Sequence, residues 1–215
     1  MSAPGAGPPP APAPFAFPRE YHFPPFFTRQ TNLTTHHAQL TKWSSLILAF
    51  CQHYRIHRLS LSQFNPGSGA PPSSSSSATP SADPPVETLF HNPAINRRLS
   101  NADIKEVIEF MRKQGRAEPY AATSGSAEDR GKDVWWIYWR TPEEWAAVVE
   151  RWVEETAQRG MVMTVYELTE GDTCRGTEFY GLDRELMIKA LQVLVKRNKA
   201  QIFGQEDSQG VKFFA

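Results

Sequence analysis

The sequence predicts an α+β fold built as two consecutive units with the same order of elements. Three observations predict it. Each half opens on a helix with apolar residues at three- and four-residue steps. Each half closes on a second such helix followed by two short strand candidates. The 18 prolines are clustered rather than spread: nine fall in residues 1–25 and six in residues 65–86, beside seven serines. Neither cluster has apolar periodicity, so neither offsets the entropy of ordering it, and both are expected to be mobile. The foldable remainder is about 165 residues, or two units of ~75, near the small end for independent folding.

In the first half, residues 36–57 form the opening helix, with Leu40, Trp43, Ile47, Phe50 and Tyr54 on one face. Arg58–Phe64 alternates apolar and polar, as a short strand does. After the Pro/Ser insert, Leu89–Leu99 reads as a short helix interrupted near Pro93. Ser100 caps the next helix, residues 101–114, which lines up Ile104, Val107, Ile108 and Met111 and stops at Gly115. Strand candidates follow at 116–120 and 134–139, joined by a polar Gly/Ser-rich loop.

The second half begins at Thr141–Pro142, a capping hydroxyl followed by Pro at the first helical position. Glu143 and Glu144 suit the positive end of that helix, and Trp145 and Trp152 share a face. Met161–Leu168 reads as a strand, and a polar loop then carries Asp172, Cys174 and Glu178. Asp183 caps a helix running to Asn198, and 201–203 with 211–214 make a hairpin around Gly204 and Gly210. Helix, strand, short helix, longer helix and hairpin is the winged-helix order. The expected organisation is a disordered Pro-rich tail over 1–35, a first winged-helix domain over 36–140 with a disordered insert at 65–86, and a second over 141–215.

Composition narrows the function. Lys and Arg total 23 and Asp and Glu total 23, so the chain has no basic excess of the kind that phosphate neutralisation needs. The halves differ: residues 1–140 carry 14 cations against 10 acids, and 141–215 carry 9 against 13. The acidic second half favours a basic partner. Two cysteines make neither a disulfide framework nor a four-ligand zinc site, which points to a reducing, intracellular setting. No run of 18 apolar residues is present.

Chemistry-bearing constellations are weak. His53, His57 and Cys51 lie within a turn or two of one another, but no H-E-x-x-H or paired C-x-x-C accompanies them, so no metal is expected. Cys174 has no His near it in sequence, and no phosphate loop, nucleophile elbow or kinase set occurs, so neither an enzyme nor a cofactor is expected. The alternative is a winged-helix DNA-binding transcriptional regulator, which inserts its third helix into the major groove. Here that helix mixes signs in the first unit and is largely apolar in the second, so no nucleic acid is expected as partner.

The informative segment is Tyr21–Thr28 (YHFPPFFT). Four rings flank two prolines that hold the chain extended before binding, and Phe26 and Phe27 present large apolar groups to a pocket. Rings folded back on the chain's own core are the competing reading.

These residues, with QLTKWSSLILAFCQHYR, the LFHNPAINRRLS run, WRTPEEW, VYELTEGD, FYGLD and a terminal GVKFF in the same order, resemble the small subunit family of the ESCRT-II complex. The likeness spans 24–65 and 87–214; the Pro-rich extension and the insert depart from it. The resemblance implies tandem winged helices and a non-enzymatic adaptor, cytoplasmic and peripheral on endosomal membrane through its complex. It implies that Pro24, Pro25, Phe26 and Phe27 dock on the two larger winged-helix subunits, two copies joining one complex. It implies that the second domain recruits and activates the first ESCRT-III subunit through that subunit's N-terminal helix, for sorting of ubiquitinated membrane cargo into multivesicular bodies. Glu167, Glu170, Asp172 and Glu178 are the expected ESCRT-III surface. Two expectations follow: Ala at both Phe26 and Phe27 abolishes assembly but spares the fold, and charge reversal at Glu170, Asp172 and Glu178 weakens ESCRT-III recruitment alone.

Overall fold

A computed structural model describes residues 14–64, 86–120, 133–204 and 209–214. The extension before residue 14, residues 65–85 of the insert and the polar loop at 121–132 lie outside the described residues. The chain divides into two compact units, Met1–Trp139 and Arg140–Ala215.

The first unit places α1 (Leu33–His53), β1 (Arg58–Ser60), α2 (Glu87–Phe90), β2 (His91–Asn92), β3 (Arg97–Arg98), α3 (Asn101–Lys113), β4 (Ala117–Pro119) and β5 (Val134–Ile137) in order. The three-stranded sheet runs β1-β5-β4, all antiparallel, with Leu59 opposite Trp135 and Ala117 opposite Ile137. Helix α1 starts three residues before the expected point. The Asn32 side chain accepts from the Thr34 and Thr35 amides and so caps it. The Leu89–Leu99 region is not an interrupted helix: α2 stops at Phe90, and β2 and β3 pair through a turn at Pro93–Asn96. Asn96 takes a positive φ of 48° there, and Asn tolerates that region better than most side chains. The Ser100 cap on α3 is present, its hydroxyl accepting from the Asp103 amide at 3.1 Å.

The second unit contains α4 (Pro142–Glu155), β6 (Val162–Thr164), α5 (Val165–Glu170), α6 (Arg184–Lys196), β7 (Ala200–Phe203) and β8 (Gly210–Phe213). Its sheet runs β6-β8-β7, with Val211 between Met163 and Ile202. Thr141 and Glu144 form a capping box at α4. A second one corrects the expected strand at Met161–Leu168: Thr164 and Glu167 cap reciprocally, turning the chain into α5 after three strand residues. Trp145, Val149, Trp152, Phe179, Leu186, Leu191 and Phe213 are buried in this unit's core. Cys174, expected in a polar loop, is fully buried, which pushes its thiol up to about 11 and removes thiolate reactivity.

Gly171 joins α5 to the following turn. Its amide donates to the Glu167 carbonyl at 3.0 Å, and a Cβ there would sit 2.3 Å from that oxygen. The obstacle is backbone, so it cannot rotate away. Gly171→Ala is expected to cost about 1–3 kcal/mol of second-unit stability, read by denaturant unfolding.

Each unit is thus three helices against a small antiparallel sheet whose last hairpin is the wing, and the fold is α+β with tandem winged helices.

Candidate functional site

The segment before α1 carries the expected docking motif, and its structure corrects two expectations. Of the tail expected to be disordered over 1–35, residues 33–35 open α1 and residues 14–32 run back along it, with Phe15 against Phe50 and Phe26 against Trp43. Pro24 and Pro25 do not hold an extended chain either. Pro24–Phe27 is one 3-10 turn, because the fixed proline φ suits that turn as well as it suits polyproline geometry.

The turn sorts the rings. Phe26 and Phe27 point inward and are 6% and 5% exposed. Phe26 stacks on Trp43 with ring centroids 4.3 Å apart and planes 8° from parallel. Phe27 meets the same indole edge-on at 5.4 Å. Phe23 points outward, 60% exposed, and Pro24 and Pro25 are exposed beside it. Of the four expected docking residues, the structure therefore presents the prolines and makes both phenylalanines part of the first unit's core. Sequence reasoning missed Phe23 as the exposed ring, since three phenylalanines around two prolines carry no periodicity that says which faces out.

The rest of the segment is anchored in series. Phe17 stacks on Tyr21 at 4.0 Å, and Phe15 meets Phe50 edge-on at 5.3 Å. The Tyr21 hydroxyl donates to the carbonyls of Thr88 and His91, and the Asn92 side chain donates to the Tyr21 carbonyl at 2.8 Å. Lys42 pairs with Glu20 at 2.8 Å. At the far end Glu106 accepts from His36 at 3.0 Å and Arg29 at 3.1 Å. The His36 bond, with the Arg29 charge, holds the Glu106 carboxyl below the usual carboxylate range. A groove of about 190 Å³ lies beside the exposed ring, lined by Phe23, Pro25, Phe26, Ala38, Gln39 and Lys42 among others.

Burial pushes the Tyr21 phenol up to about 12. The fold favours the neutral form, so this contribution to stability is intact below the unfolded value near 10 and is lost as pH rises through about 12. An alkaline titration of phenolate absorbance is expected to show one phenol ionising last, coincident with release of the segment. Tyr21→Phe should remove that late amplitude; if it persists, another tyrosine is responsible.

In the second unit, the structure brings three of the four expected carboxylates together and draws the fourth aside. Glu167 and Glu170 lie on α5, and Asp172 is on the turn that follows. Glu167 is occupied as a cap, accepting from the Thr164 amide at 2.7 Å. Glu178 pairs with Arg140, which also lies over the Trp145 ring at 5.2 Å. Asp172 makes an exposed pair with Arg175 at 3.3 Å, and Glu170 is exposed. Three apolar residues of the same stretch, Met161, Val162 and Tyr166, are each more than half exposed.

The groove-reading alternative gains little from α3 of the first unit. Lys105 pairs with Asp133 at 3.0 Å and Arg112 with Glu109 at 2.7 Å, so these cations are already neutralised locally. Among the described residues no group of three or more His, Cys, Asp or Glu is arranged to hold a metal. No helix among them is long and apolar enough to cross a membrane.

Comparison with known proteins places this architecture. A family described as "ESCRT-II complex subunit" matches residues 20–183. Vacuolar protein-sorting-associated protein 25 of Homo sapiens is 37% identical over 200 residues, covering 93% of this chain and 98% of the relative. Its Xenopus laevis counterpart is 34% identical over 200 residues, covering 93% and 99%. A crystal structure of the VPS25 subunit of the endosomal trafficking complex ESCRT-II superposes with a TM-score of 0.71 at 25% identity, covering 91% of this chain and 97% of that one. The VPS22/VPS25/VPS36 complex of ESCRT-II contains a chain that superposes at 0.70 and 26% identity, over 91% and 98%. The chain belongs to the family of ESCRT-II complex subunits, with the vacuolar protein-sorting-associated protein 25 group as its relatives.

Proposed function

We propose that this chain is a non-enzymatic adaptor that docks on the two larger ESCRT-II subunits through its first unit and recruits and activates the first ESCRT-III subunit through its second. The observation that carries the reading is the ridge Phe23–Pro24–Pro25: a large ring and two prolines stand exposed on a segment whose flanks are buried. An exposed ring on a rigid mount is what an interface anchor needs, because little is left to order on binding. The docking residues are accordingly Phe23, Pro24 and Pro25, with Phe26 and Phe27 as their foundation.

The second surface is Tyr166, Met161 and Val162 with Glu170 and Asp172. Apolar groups edged by acids suit one face of a basic amphipathic helix. Glu167 is held in its helix cap and Glu178 by Arg140, while Asp172 makes only an exposed pair with Arg175, so the first two are secondary to it. Membrane attachment at the endosome then comes through the partners, and the cargo role through the assembled complex.

The test is co-expression with VPS22 and VPS36, followed by titration with the N-terminal helix of the first ESCRT-III subunit. The intact chain should enter the three-subunit complex. Reversing Glu170 and Asp172 to Lys is expected to weaken helix binding about tenfold or more, and to leave assembly untouched. Unchanged helix binding would move that interface elsewhere, and failure to assemble would remove the adaptor reading itself.

A further inference from the structure

Gln39 is an amide placed among rings. It sits on α1 one turn before Trp43 and is 8% exposed. Its Nε2 donates to the Phe26 carbonyl at 2.8 Å and the Thr28 carbonyl at 2.9 Å, with a longer contact to the Pro25 carbonyl at 3.4 Å. Trp43 Nε1 donates to the same Phe26 carbonyl at 3.1 Å. Gln30 Nε2 reaches the Pro25 and Thr28 carbonyls at 3.0 and 2.8 Å.

The need for these donors follows from the motif. Proline has no amide hydrogen, so Pro24 and Pro25 supply no donors to tie down their own turn. At its two ends the turn is closed by Phe26 and Thr28, whose amides donate to the Phe23 and Pro25 carbonyls. Gln39 and Trp43 of α1, with Gln30 just before it, add side-chain donors to the turn. The carbonyls they hold belong to Pro25, the last residue of the exposed ridge, and to Phe26 and Thr28 beyond it, so holding them fixes where Phe23, Pro24 and Pro25 point.

We propose that Gln39 is a positioning residue for assembly, its amide locking the proline turn so that the ridge docks as a preformed knob rather than as a flexible peptide. The inference rests on the docking reading above. A turn ordered in advance forfeits less on binding, and loosening it weakens affinity without touching any contact atom.

The test titrates the full chain onto purified VPS22–VPS36. Gln39→Met keeps length and apolar packing but removes both donors. It is expected to weaken binding at least tenfold and to speed tryptic cleavage at Arg19 and Arg29, with the unfolding of the rest of the unit little changed. Gln39→Glu is isosteric, and its carboxyl donates only when protonated. Its deficit relative to wild type should shrink as pH falls from about 8 to about 5.5, a signature that mere loss of packing does not produce. Phe23→Ala in the same titration separates the two failures. If Phe23→Ala weakens binding while Gln39→Met binds within twofold of wild type, the positioning role is overturned and the docking reading stands. If Phe23→Ala binds like wild type, the docking reading falls. Should Gln39→Met fail to fold, Gln39→Glu decides: it is expected to bind severalfold more weakly than wild type at about pH 8, and binding within twofold there overturns the clamp.

Discussion

Phe26→Ala is expected to destabilise the first unit by about 3–5 kcal/mol, the cost of emptying a buried phenylalanine site. The ring is 6% exposed and stacked on Trp43, itself 1% exposed, so its removal opens a cavity in the centre of the aromatic cluster. Against a domain stability of roughly 5–15 kcal/mol, one such loss is severe, and Phe26→Ala with Phe27→Ala should leave the unit largely unfolded. The two rings touch edge-on at 6.0 Å, so their effects will not simply add. Denaturant unfolding followed by tryptophan fluorescence measures it. A midpoint like that of the wild type would show that the rings are not core and would restore the free-tail expectation. With the unit unfolded, lost assembly in a Phe26/Phe27 variant does not identify a missing contact.

Phe23→Ala should behave in the opposite way. The ring is 60% exposed in the free chain, so its removal is expected to change stability by less than about 0.5 kcal/mol. Burying it in a partner pocket contributes roughly 1.5–3 kcal/mol, so assembly with VPS22 and VPS36 should weaken by about 10- to 150-fold. Equilibrium binding together with a thermal melt of the same protein separates the two quantities. A variant that melts normally and binds normally excludes Phe23 as an anchor. Three phenylalanines within five residues thus face two ways, two into the core and one outward, divided by one 3-10 turn.

What the sequence determined by itself is local. Ser100, Thr141 and Asp183 each cap the helix they precede, because a cap is a bond between a side chain and an amide two or three residues on. The apolar spacing of α3, α4 and α6 and the Gly-flanked hairpin at β7 and β8 are equally short-range, and together they carry the order of elements and the fold class. The Thr164–Glu167 capping box is equally local, but it lies inside an apolar, β-rich run whose pattern is that of a strand.

The tertiary structure alone decided which way the proline segment faces. Phe26 is buried because Trp43, seventeen residues later, offers a ring face, and that face exists only once α1, α3 and the sheet have assembled. Tyr21 is held by carbonyls at positions 88 and 91. Glu178 is drawn to Arg140, across 38 residues of chain. Contacts of that separation leave no period and no cap in the sequence; composition made the segment look too poor in apolar spacing to order itself, and it is the core next to it that supplies the missing surface.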